Sequence, residues 1–397
     1  MLATLRFAAI AWMLAAATLA HAADKGSLVI IGGALRADNA VVWERIVQLA
    51  GGKGARIAVF PSAAGNPERS AKTAMAYLTR YGASPFLVPL SPKLPDYRKL
   101  ADDPALAARV AGAGGAYFVG GDQARITGVL RREDGSDTLV LGALWTTYRG
   151  GGVIAGTSAG AAVMSSTMFD NAKGVLDTLR LGVRDGAEIA PGLGFAGDDV
   201  FIDQHLIIRG RFARMLPLML KKGYRYGIGV DENTAIVLAP AREVEVIGYK
   251  GVIVLDLTTA TTGAGAFNIA NAKISYLDHG DRFNLASHAF IPGPDKTEGL
   301  IDAADPSNRG RLFSAYILGN TTVVDLLTKL IDSDQESAIG LAFGDPQDPQ
   351  AQSGFEFRFS RVKDSVGYAS ASSEAASIYN VRLDVRPIRL RLPLYEY

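Results

Sequence analysis

The length of this chain, 397 residues, is enough for one large domain or for two. It has no cysteine, which excludes disulfides, thiol catalysis and thiolate metal sites. Lys and Arg together number 41 and Asp and Glu number 40, so no bulk charge directs the protein to nucleic acid or to anionic membranes. We therefore expect no nucleic-acid partner.

The first 22 residues predict a signal peptide. Arg6 precedes an apolar stretch over residues 7–19, and Ala-His-Ala at 20–22 supplies small residues where a leader is cleaved. The apolar stretch is too short for an ordinary membrane span. We expect cleavage after Ala22, export to the periplasm or the medium, and a mature protein without a membrane span.

Short apolar runs alternate with helical patterns between Ser27 and about Leu220. Strands are predicted near residues 27, 56, 86, 116, 152 and 199, and helices over 39–50, 67–81, 104–111, 123–130 and 138–148. Nearly continuous apolar runs separated by helices are typical of a parallel sheet covered on both faces. We predict an α/β fold with a doubly wound, mostly parallel sheet, whose ligands bind beyond the carboxyl ends of the strands.

The pattern changes after Gly223. Runs such as "GIGVDENTAIVL" and "GVIVLDL" predict an antiparallel continuation of the first domain. From about Pro292 the composition shifts again, and the last segment contains one helical pattern over 322–331 and two alternating strand patterns. We assign residues 23–292 to a catalytic α/β domain and 293–397 to a smaller β-rich extension, to which the sequence assigns no role.

Residues 156–160 read Gly-Thr-Ser-Ala-Gly, the G-x-S-x-G pattern, between a strand pattern and a helix start. This context is typical of a nucleophile elbow, in which the serine occupies a sharp strand-to-helix turn. It predicts Ser158 as a nucleophile. The alternative is that the small residues only permit close helix–strand packing, with Ser158 as a helix N-cap.

Histidine is scarce, with four in the chain including His21 of the predicted leader. His205 follows the last apolar run of the predicted sheet, so we expect it on the same rim as Ser158, where a general base is needed. The alternative is a structural histidine. We interpret His279 and His288 as structural or surface residues.

Three arginines, Arg209, Arg211 and Arg214, open an amphipathic helical pattern shortly after this histidine. Cations at a helix N-terminus oppose the helix dipole, so we expect a bound anion there. A solvated basic face is the alternative.

Another strand pattern ends in two glycines, directly before Asp122. The backbone N–H groups of Gly121 and Ala159 are therefore candidates for an oxyanion hole.

Together these blocks resemble the cyanophycinase family of serine peptidases, relatives of dipeptidase E. The resemblance runs from about Ser27 to His288, and the leader makes the chain most similar to the extracellular members. The matching blocks are Gly-Gly-Asp-Gln at 120–123, the 156–161 elbow, Pro-Gly-Leu-Gly at 191–194, Asp-Gln-His at 203–205 with the three arginines, and "GIGVDENTA" from Gly227.

The resemblance implies a parallel α/β fold, a homodimer, and no cofactor or metal. It also implies hydrolysis of cyanophycin, a poly-aspartate with arginine on each β-carboxyl, to β-aspartyl-arginine. Ser158 is then the nucleophile and His205 the base, and the substrate site is lined by Gln123, Asp203, Gln204, Arg209, Arg211 and Arg214. Arginines suit substrate carboxylates, and Asp203 suits a guanidinium.

The family places an acidic triad member, glutamate or aspartate, between the elbow helix and the histidine. In this chain that loop offers four acids, Asp170, Asp177, Asp185 and Glu188. We predict Asp177, which falls nearest the family position after a one-residue shift, with Glu188 as second choice.

The sequence thus predicts an exported serine exopeptidase that releases β-Asp-Arg dipeptides from cyanophycin through an acyl-enzyme. One alternative is a peptidase of the same fold that acts on short aspartyl or isoaspartyl peptides. Two further alternatives are an esterase of the α/β-hydrolase type and an exported binding protein that has lost catalysis.

Overall fold

The structure is a computed structural model that describes residues 26–302 and 304–391, so the predicted signal peptide lies outside the described residues. No helix within these two ranges has the length and apolar character needed to cross a membrane. The helices are α1 (Ala40–Leu49), α2 (Pro67–Arg80), α3 (Tyr97–Ala101), α4 (Pro104–Ala111), α5 (Gln123–Leu130), α6 (Leu139–Arg149), α7 (Ala159–Ala162), α8 (Val175–Leu181), α9 (Phe212–Lys222) and α10 (Thr322–Ile331).

In the described part of the chain, the strands form two large sheets and one small one. They are β1 (Ser27–Ile31), β2 (Arg56–Phe60), β3 (Ser84–Leu87), β4 (Gly115–Phe118), β5 (Val153–Thr157), β6 (Thr167–Phe169), β7 (Ile189–Pro191), β8 (Val200–Gln204), β9 (Tyr226–Val230), β10 (Thr234–Leu238), β11 (Glu243–Gly248), β12 (Val252–Asp256), β13 (Ile269–Leu277), β14 (Arg282–Asn284), β15 (Phe290–Ile291), β16 (Leu312–Ser314), β17 (Ser337–Phe343), β18 (Ser353–Ser360), β19 (Val366–Ala369) and β20 (Ala376–Arg389).

The first sheet has the strand order β15-β14-β11-β10-β1-β5-β4-β2-β3, and its strands β1, β5, β4, β2 and β3 are parallel. Both faces of this part are buried. Leu28 and Ile30 of β1 belong to one apolar cluster with α4, α5 and α6, while Val29 and Ile31 belong to another with α1 and α2. Because successive strand residues point to opposite faces, a strand buried on both sides reads as an uninterrupted apolar run. The predicted α/β fold is confirmed.

The second sheet has the order β16-β17-β18-β20-β13-β12-β9-β8, with β19 paired to β20. It contains β8, which the sequence analysis placed in the first sheet, and it also takes β9 and β12, which were expected to continue that sheet. β10 and β11 do continue it, with β10 antiparallel to β1 and β11 antiparallel to β10, and β14 and β15 extend it further. An apolar run shows that a strand is buried but not which neighbour it pairs with, so this assignment needed the tertiary structure.

The C-terminal segment builds the second sheet together with strands that precede residue 292. β20 pairs with β13 on one side and with β18 on the other, and the predicted helix over 322–331 is α10. A fully buried ion pair joins the two parts, with Lys296 Nζ 2.8 Å from Asp281 Oδ1. Asp281 also accepts a hydrogen bond from Ser377 Oγ of β20. A buried charge left without its partner is strongly destabilising, so this contact holds the extension in place.

Candidate active site

Ser158 occupies the sharp turn between β5 and α7. Its backbone is in a region that residues other than glycine rarely adopt, with φ 54° and ψ −107°, and its N–H donates to Ile31 O at 2.9 Å. A Cβ at Gly156 would collide with Gly160 O, and a Cβ at Gly160 would collide with Phe118 O, so both glycines of the motif are needed for the turn. The Ser158 side chain makes no capping hydrogen bond to α7. The geometry is therefore that of a nucleophile elbow and not of an N-cap.

His205 follows β8 and directs its imidazole at this serine. Ser158 Oγ lies 2.7 Å from His205 Nε2, a hydrogen-bonding distance. The backbone N–H of His205 donates to Gly32 O at 2.8 Å, and a Cβ at Gly33 would collide with the imidazole ring. The turn after β1 in the first sheet thus positions a histidine carried by the second sheet. The two predicted residues are brought together as expected, although their strands belong to different sheets.

Glu232 holds the other side of the imidazole, with Oε1 2.6 Å from His205 Nδ1. The strands β8 and β9 are parallel neighbours, with Gln204 beside Val230, so residues just beyond their carboxyl ends lie next to each other. Asp231, which is fully buried, accepts hydrogen bonds from Ile207 N and Ile208 N, both at 3.1 Å. These bonds tie the turn that carries Glu232 to the turn that follows His205.

The prediction that Asp177 contacts His205 is wrong. Asp177 lies exposed in the first turn of α8, where its nearest basic partner is Arg180 at 3.5 Å. The second choice, Glu188, pairs with Arg184 and Lys173, and Asp185 pairs with Lys222.

The remaining acid of that loop, Asp170, has a different environment. Burial, followed by the nearby Asp122 charge, raises its pKa. The acid beside His205, Glu232, was not predicted, although it lies in the "GIGVDENTA" block from Gly227. A reading of residues 200–230 as strand, helix and parallel strand would have placed it beside His205.

The electrostatics favour a neutral imidazole. Burial lowers the pKa of His205 below its usual 6.5, and the positive charges of Arg209 and Arg211 lower it further, against the opposing effect of the Glu232 carboxylate. Burial, reinforced by the Arg214 charge, also lowers the pKa of Arg211 to about 10. His205 is therefore uncharged at neutral pH and able to accept a proton, while Arg211 keeps its charge.

Two of the three arginines have partners within the chain. Arg214 Nε and Nη2 donate to the Asp203 carboxylate at 2.7 and 2.6 Å, and its guanidinium lies 4.2 Å from the Phe169 ring centroid. Arg211 Nη1 donates to Gln204 O and to Gln204 Oε1, both at 2.9 Å. The anion expected from the helix-dipole argument is thus, for Arg214, a carboxylate of the protein itself.

The remaining predicted binding residues lie around the same rim. The helix α9 begins at Phe212, later than predicted, so Arg209 lies in the turn before it and is exposed. Gln123 Nε2 donates to Phe169 O at 2.7 Å, which fixes its amide.

The glycine turn that was predicted to contribute to the oxyanion hole also contacts Ser158. A Cβ at Gly120 would lie 3.2 Å from Ser158 Cβ, and Gly121 has φ +145°. The glycine turn after β4 is therefore packed against the elbow, with Ala159 directly after the serine. The two predicted N–H donors, Gly121 and Ala159, therefore directly follow the two residues that make this contact, Gly120 and Ser158.

A cavity of about 530 Å³ opens at Ser158 and His205. Three aromatic side chains line it, Trp43, Tyr77 and Tyr117, together with polar residues of α2 such as Arg69. Within residues 26–302 and 304–391, no group of three or more His, Asp and Glu side chains is arranged to hold a metal ion.

Comparison with known proteins assigns the family. The sequence model of peptidase family S51 matches residues 28–242, which is more than half of the chain. The chain belongs to peptidase family S51. This S51 chain is accordingly a serine-type peptidase, and the predicted family resemblance is confirmed.

The curated relatives of this S51 peptidase include several cyanophycinases. It is 30% identical over 284 residues to the cyanophycinase of Trichormus variabilis, covering 68% of this chain and 89% of the relative. It is 30% identical over 280 residues to that of Geminocystis herdmanii, covering 68% of this chain and 97% of the relative. Among solved structures, a peptidase from an acI-B1 Actinobacterium has 20% identity and a TM-score of 0.48, covering 67% of this chain and 99% of that one.

Proposed function

We propose that this S51 peptidase hydrolyses cyanophycin to β-Asp-Arg dipeptides through an acyl-enzyme. The observation that carries the proposal is the hydrogen-bonded series Ser158, His205 and Glu232, with distances of 2.7 and 2.6 Å, of which Ser158 and His205 line the cavity. Support for the substrate comes from the curated relatives, which are cyanophycinases.

In the first step Ser158 Oγ attacks the backbone carbonyl carbon of an aspartyl residue, and His205 Nε2 takes the hydroxyl proton. Glu232 accepts the hydrogen bond from Nδ1–H and stabilises the imidazolium that forms. The backbone N–H groups of Gly121 and Ala159 donate to the developing oxyanion. The C–N bond then breaks, and the proton on Nε2 goes to the leaving amine.

In the second step water hydrolyses the acyl-enzyme. His205 Nε2 accepts a proton from the attacking water and returns it to Ser158 Oγ, which restores the free enzyme. A neutral imidazole is needed at the start of both steps, and the lowered pKa of His205 supports that state at neutral pH.

The decisive experiment incubates the purified mature protein with insoluble cyanophycin and identifies the soluble product by mass spectrometry. We expect β-Asp-Arg from the parent protein and none from Ser158→Ala. The exposed Ser307→Ala variant serves as a matched control that keeps activity. Full activity in Ser158→Ala would overturn the mechanism.

The same assay distinguishes the substrates. Turnover of short aspartyl and isoaspartyl peptides is compared with turnover of the polymer. Hydrolysis of the short peptides alone would replace cyanophycin with the short-peptide alternative. Binding of the polymer without any product would favour the inactive binding protein.

We also propose that the protein is exported, on the strength of the leader pattern in residues 1–22. Expression of the full chain in a Gram-negative host, with fractionation and N-terminal sequencing, tests this. A mature protein that begins at Ala23 outside the cytoplasm is expected, and an uncleaved cytoplasmic chain contradicts it.

A further inference from the structure

A second cleft, of about 400 Å³, lies between the turn that carries Arg209, the start of α8 and the C-terminal segment. Its lining includes Asp177, Arg209, Tyr316, Leu318, Phe343 and Asp348. It shares none of its lining residues with the aromatic cavity at Ser158. The last four of these residues lie beyond residue 242, where the match to the family ends. One wall of the cleft is therefore an addition outside the matched part of the chain.

The wall is held rigidly. Arg180, whose side chain is only 3% exposed, donates to Asp348 Oδ2 at 2.7 Å and to Ser353 O at 2.6 Å. These bonds join α8 to the turn before β18. A Cβ at Gly210 would collide with Leu318 O, so the turn that carries Arg209 is also in close contact with the C-terminal segment. The cleft is thus formed in advance of any ligand, which lowers the entropic cost of binding.

The charges in the cleft are of both signs. Arg209 offers an exposed guanidinium, and the Asp177 carboxylate, with a side chain 52% exposed, lines the same cleft. Tyr316 is 60% exposed, so its ring is accessible to a ligand in the cleft. Together these side chains can bind a zwitterionic ligand. Arg209 can bind its carboxylate, while Asp177 and the ring face of Tyr316 can bind its guanidinium.

An arginylated aspartyl unit carries that pair of groups. Each unit has the free carboxylate and the guanidinium of its arginine, attached to an uncharged amide backbone. Simple acidic peptides lack the cation, and basic peptides lack the repeated carboxylate. The cleft therefore fits a zwitterionic unit better than either.

The cleft also lies close to the catalytic pair. Arg209 is four residues beyond His205, and its positive charge contributes to the lowered pKa of that imidazole. One wall of the cleft is thus within electrostatic reach of the catalytic histidine.

We propose that this cleft is a subsite for a further β-aspartyl-arginine unit of a bound polymer, with the C-terminal segment supplying one wall. The extension thereby lengthens the stretch of substrate that is recognised. This inference rests on the proposed function, because it takes its ligand from the same substrate.

The test measures binding in the inactive Ser158→Ala background, so it does not depend on turnover. Dissociation constants are measured by calorimetry for synthetic β-Asp-Arg oligomers of two and of four units. We expect the longer oligomer to bind about tenfold tighter or more. Adding Tyr316→Ala or Asp177→Asn should remove most of this gain while leaving the affinity for the shorter oligomer nearly unchanged.

Matched controls use side chains of similar exposure outside the cleft. Tyr249 is 66% exposed, against 60% for Tyr316, and the Asp185 side chain is 59% exposed, against 52% for Asp177. Tyr249→Ala and Asp185→Asn should keep the full gain from chain length. Circular dichroism checks that all variants are folded.

The subsite proposal is overturned if four units bind no tighter than two, if neither oligomer binds, or if the cleft variants keep the gain. Failure of the proposed function looks different. In that case the parent protein, with Ser158 intact, releases no dipeptide from the polymer, whatever the binding measurements on Ser158→Ala give.

Discussion

Glu232 Oε1 lies 2.6 Å from His205 Nδ1, on the side of the imidazole opposite Ser158. The acid therefore follows the histidine in the chain, and the order of the three residues is serine, histidine, acid. Because the acid and the histidine are carried by the parallel neighbours β8 and β9, their contact depends on strand pairing in the second sheet.

Replacing Glu232 should therefore impair catalysis without unfolding the protein. In Glu232→Gln the imidazolium loses its stabilising charge and Nδ1–H loses its carboxylate acceptor. We expect kcat to fall by about 100-fold to 10,000-fold, as for orienting acids in other serine hydrolases. Steady-state kinetics on the shortest cleavable oligomer measures this.

The control for that experiment is Asp185→Asn, which changes an exposed acid of the loop between the elbow helix and His205. It should keep the parental kcat. An unchanged kcat in Glu232→Gln would show that the contact does not serve catalysis.

The rate of reaction at Ser158 should decline at acid pH only below 6.5, the ordinary pKa of histidine. We call this decline the acid limb of the pH profile. Burial and two arginine charges lower the pKa of His205, so the imidazole stays neutral and competent until the pH falls below that value. Arg209→Met removes one of these charges, which raises the pKa and moves the limb to higher pH. The rate of Ser158 modification by an uncharged organophosphate, measured against pH, reports this directly.

A matched control for the pH experiment is Arg98→Met, which removes a positive charge at the surface beside Glu133. Its limb should coincide with that of the parent protein. A shift of the Arg209→Met limb to lower pH contradicts the electrostatic account.

Gly33 should tolerate no side chain. Its φ is +125°, and a Cβ would collide with the His205 ring, so Gly33→Ala should displace the imidazole from Ser158 and lower kcat/KM by about 100-fold or more. Gly51→Ala separates this effect from backbone strain, because Gly51 has φ +109° and open space around the new Cβ. Both variants should lose about 1 to 3 kcal/mol of stability. Only Gly33→Ala should lose activity, and equal activity in the two would contradict the steric explanation.

The Asp203–Arg214 pair should matter for stability. Both side chains are almost fully buried and they share two hydrogen bonds. Arg214→Met leaves the Asp203 carboxylate buried without its cation, so we expect the free energy of unfolding to fall by about 3 to 5 kcal/mol in urea titrations. The exposed Arg209→Met should change it by less than about 0.5 kcal/mol. Equal effects would indicate that Arg214 is free to serve a ligand.

Much of the site was predictable from local sequence. The elbow at Ser158 depends on small residues at fixed offsets, and the glycine turn at Gly121 depends on backbone freedom after a strand. Such features are set by neighbours along the chain, so the sequence shows them directly. The rim position of His205 followed from its place after an apolar run.

The roles of the charged residues were harder to predict. Asp203 and Arg214 were predicted to bind groups of the substrate, yet they form an ion pair with each other. Asp177 had the expected spacing, yet α8 directs it to Arg180 and the second cleft. A charged side chain can be satisfied by any partner that the fold brings near, and one sequence does not list those partners.

The sequence alone determined the α/β class, the positions of the parallel strands and the pairing of a serine elbow with a histidine. The periodicity of apolar residues and the residue preferences of turns are local properties of the chain, so the sequence shows them directly. Only the tertiary structure decided that β8 and β9 pair in a second sheet, that Glu232 is the acid beside His205, and that the C-terminal segment completes that sheet. The physical reason is that strand pairing joins residues far apart in the chain, and the same apolar run could form a buried strand in either sheet.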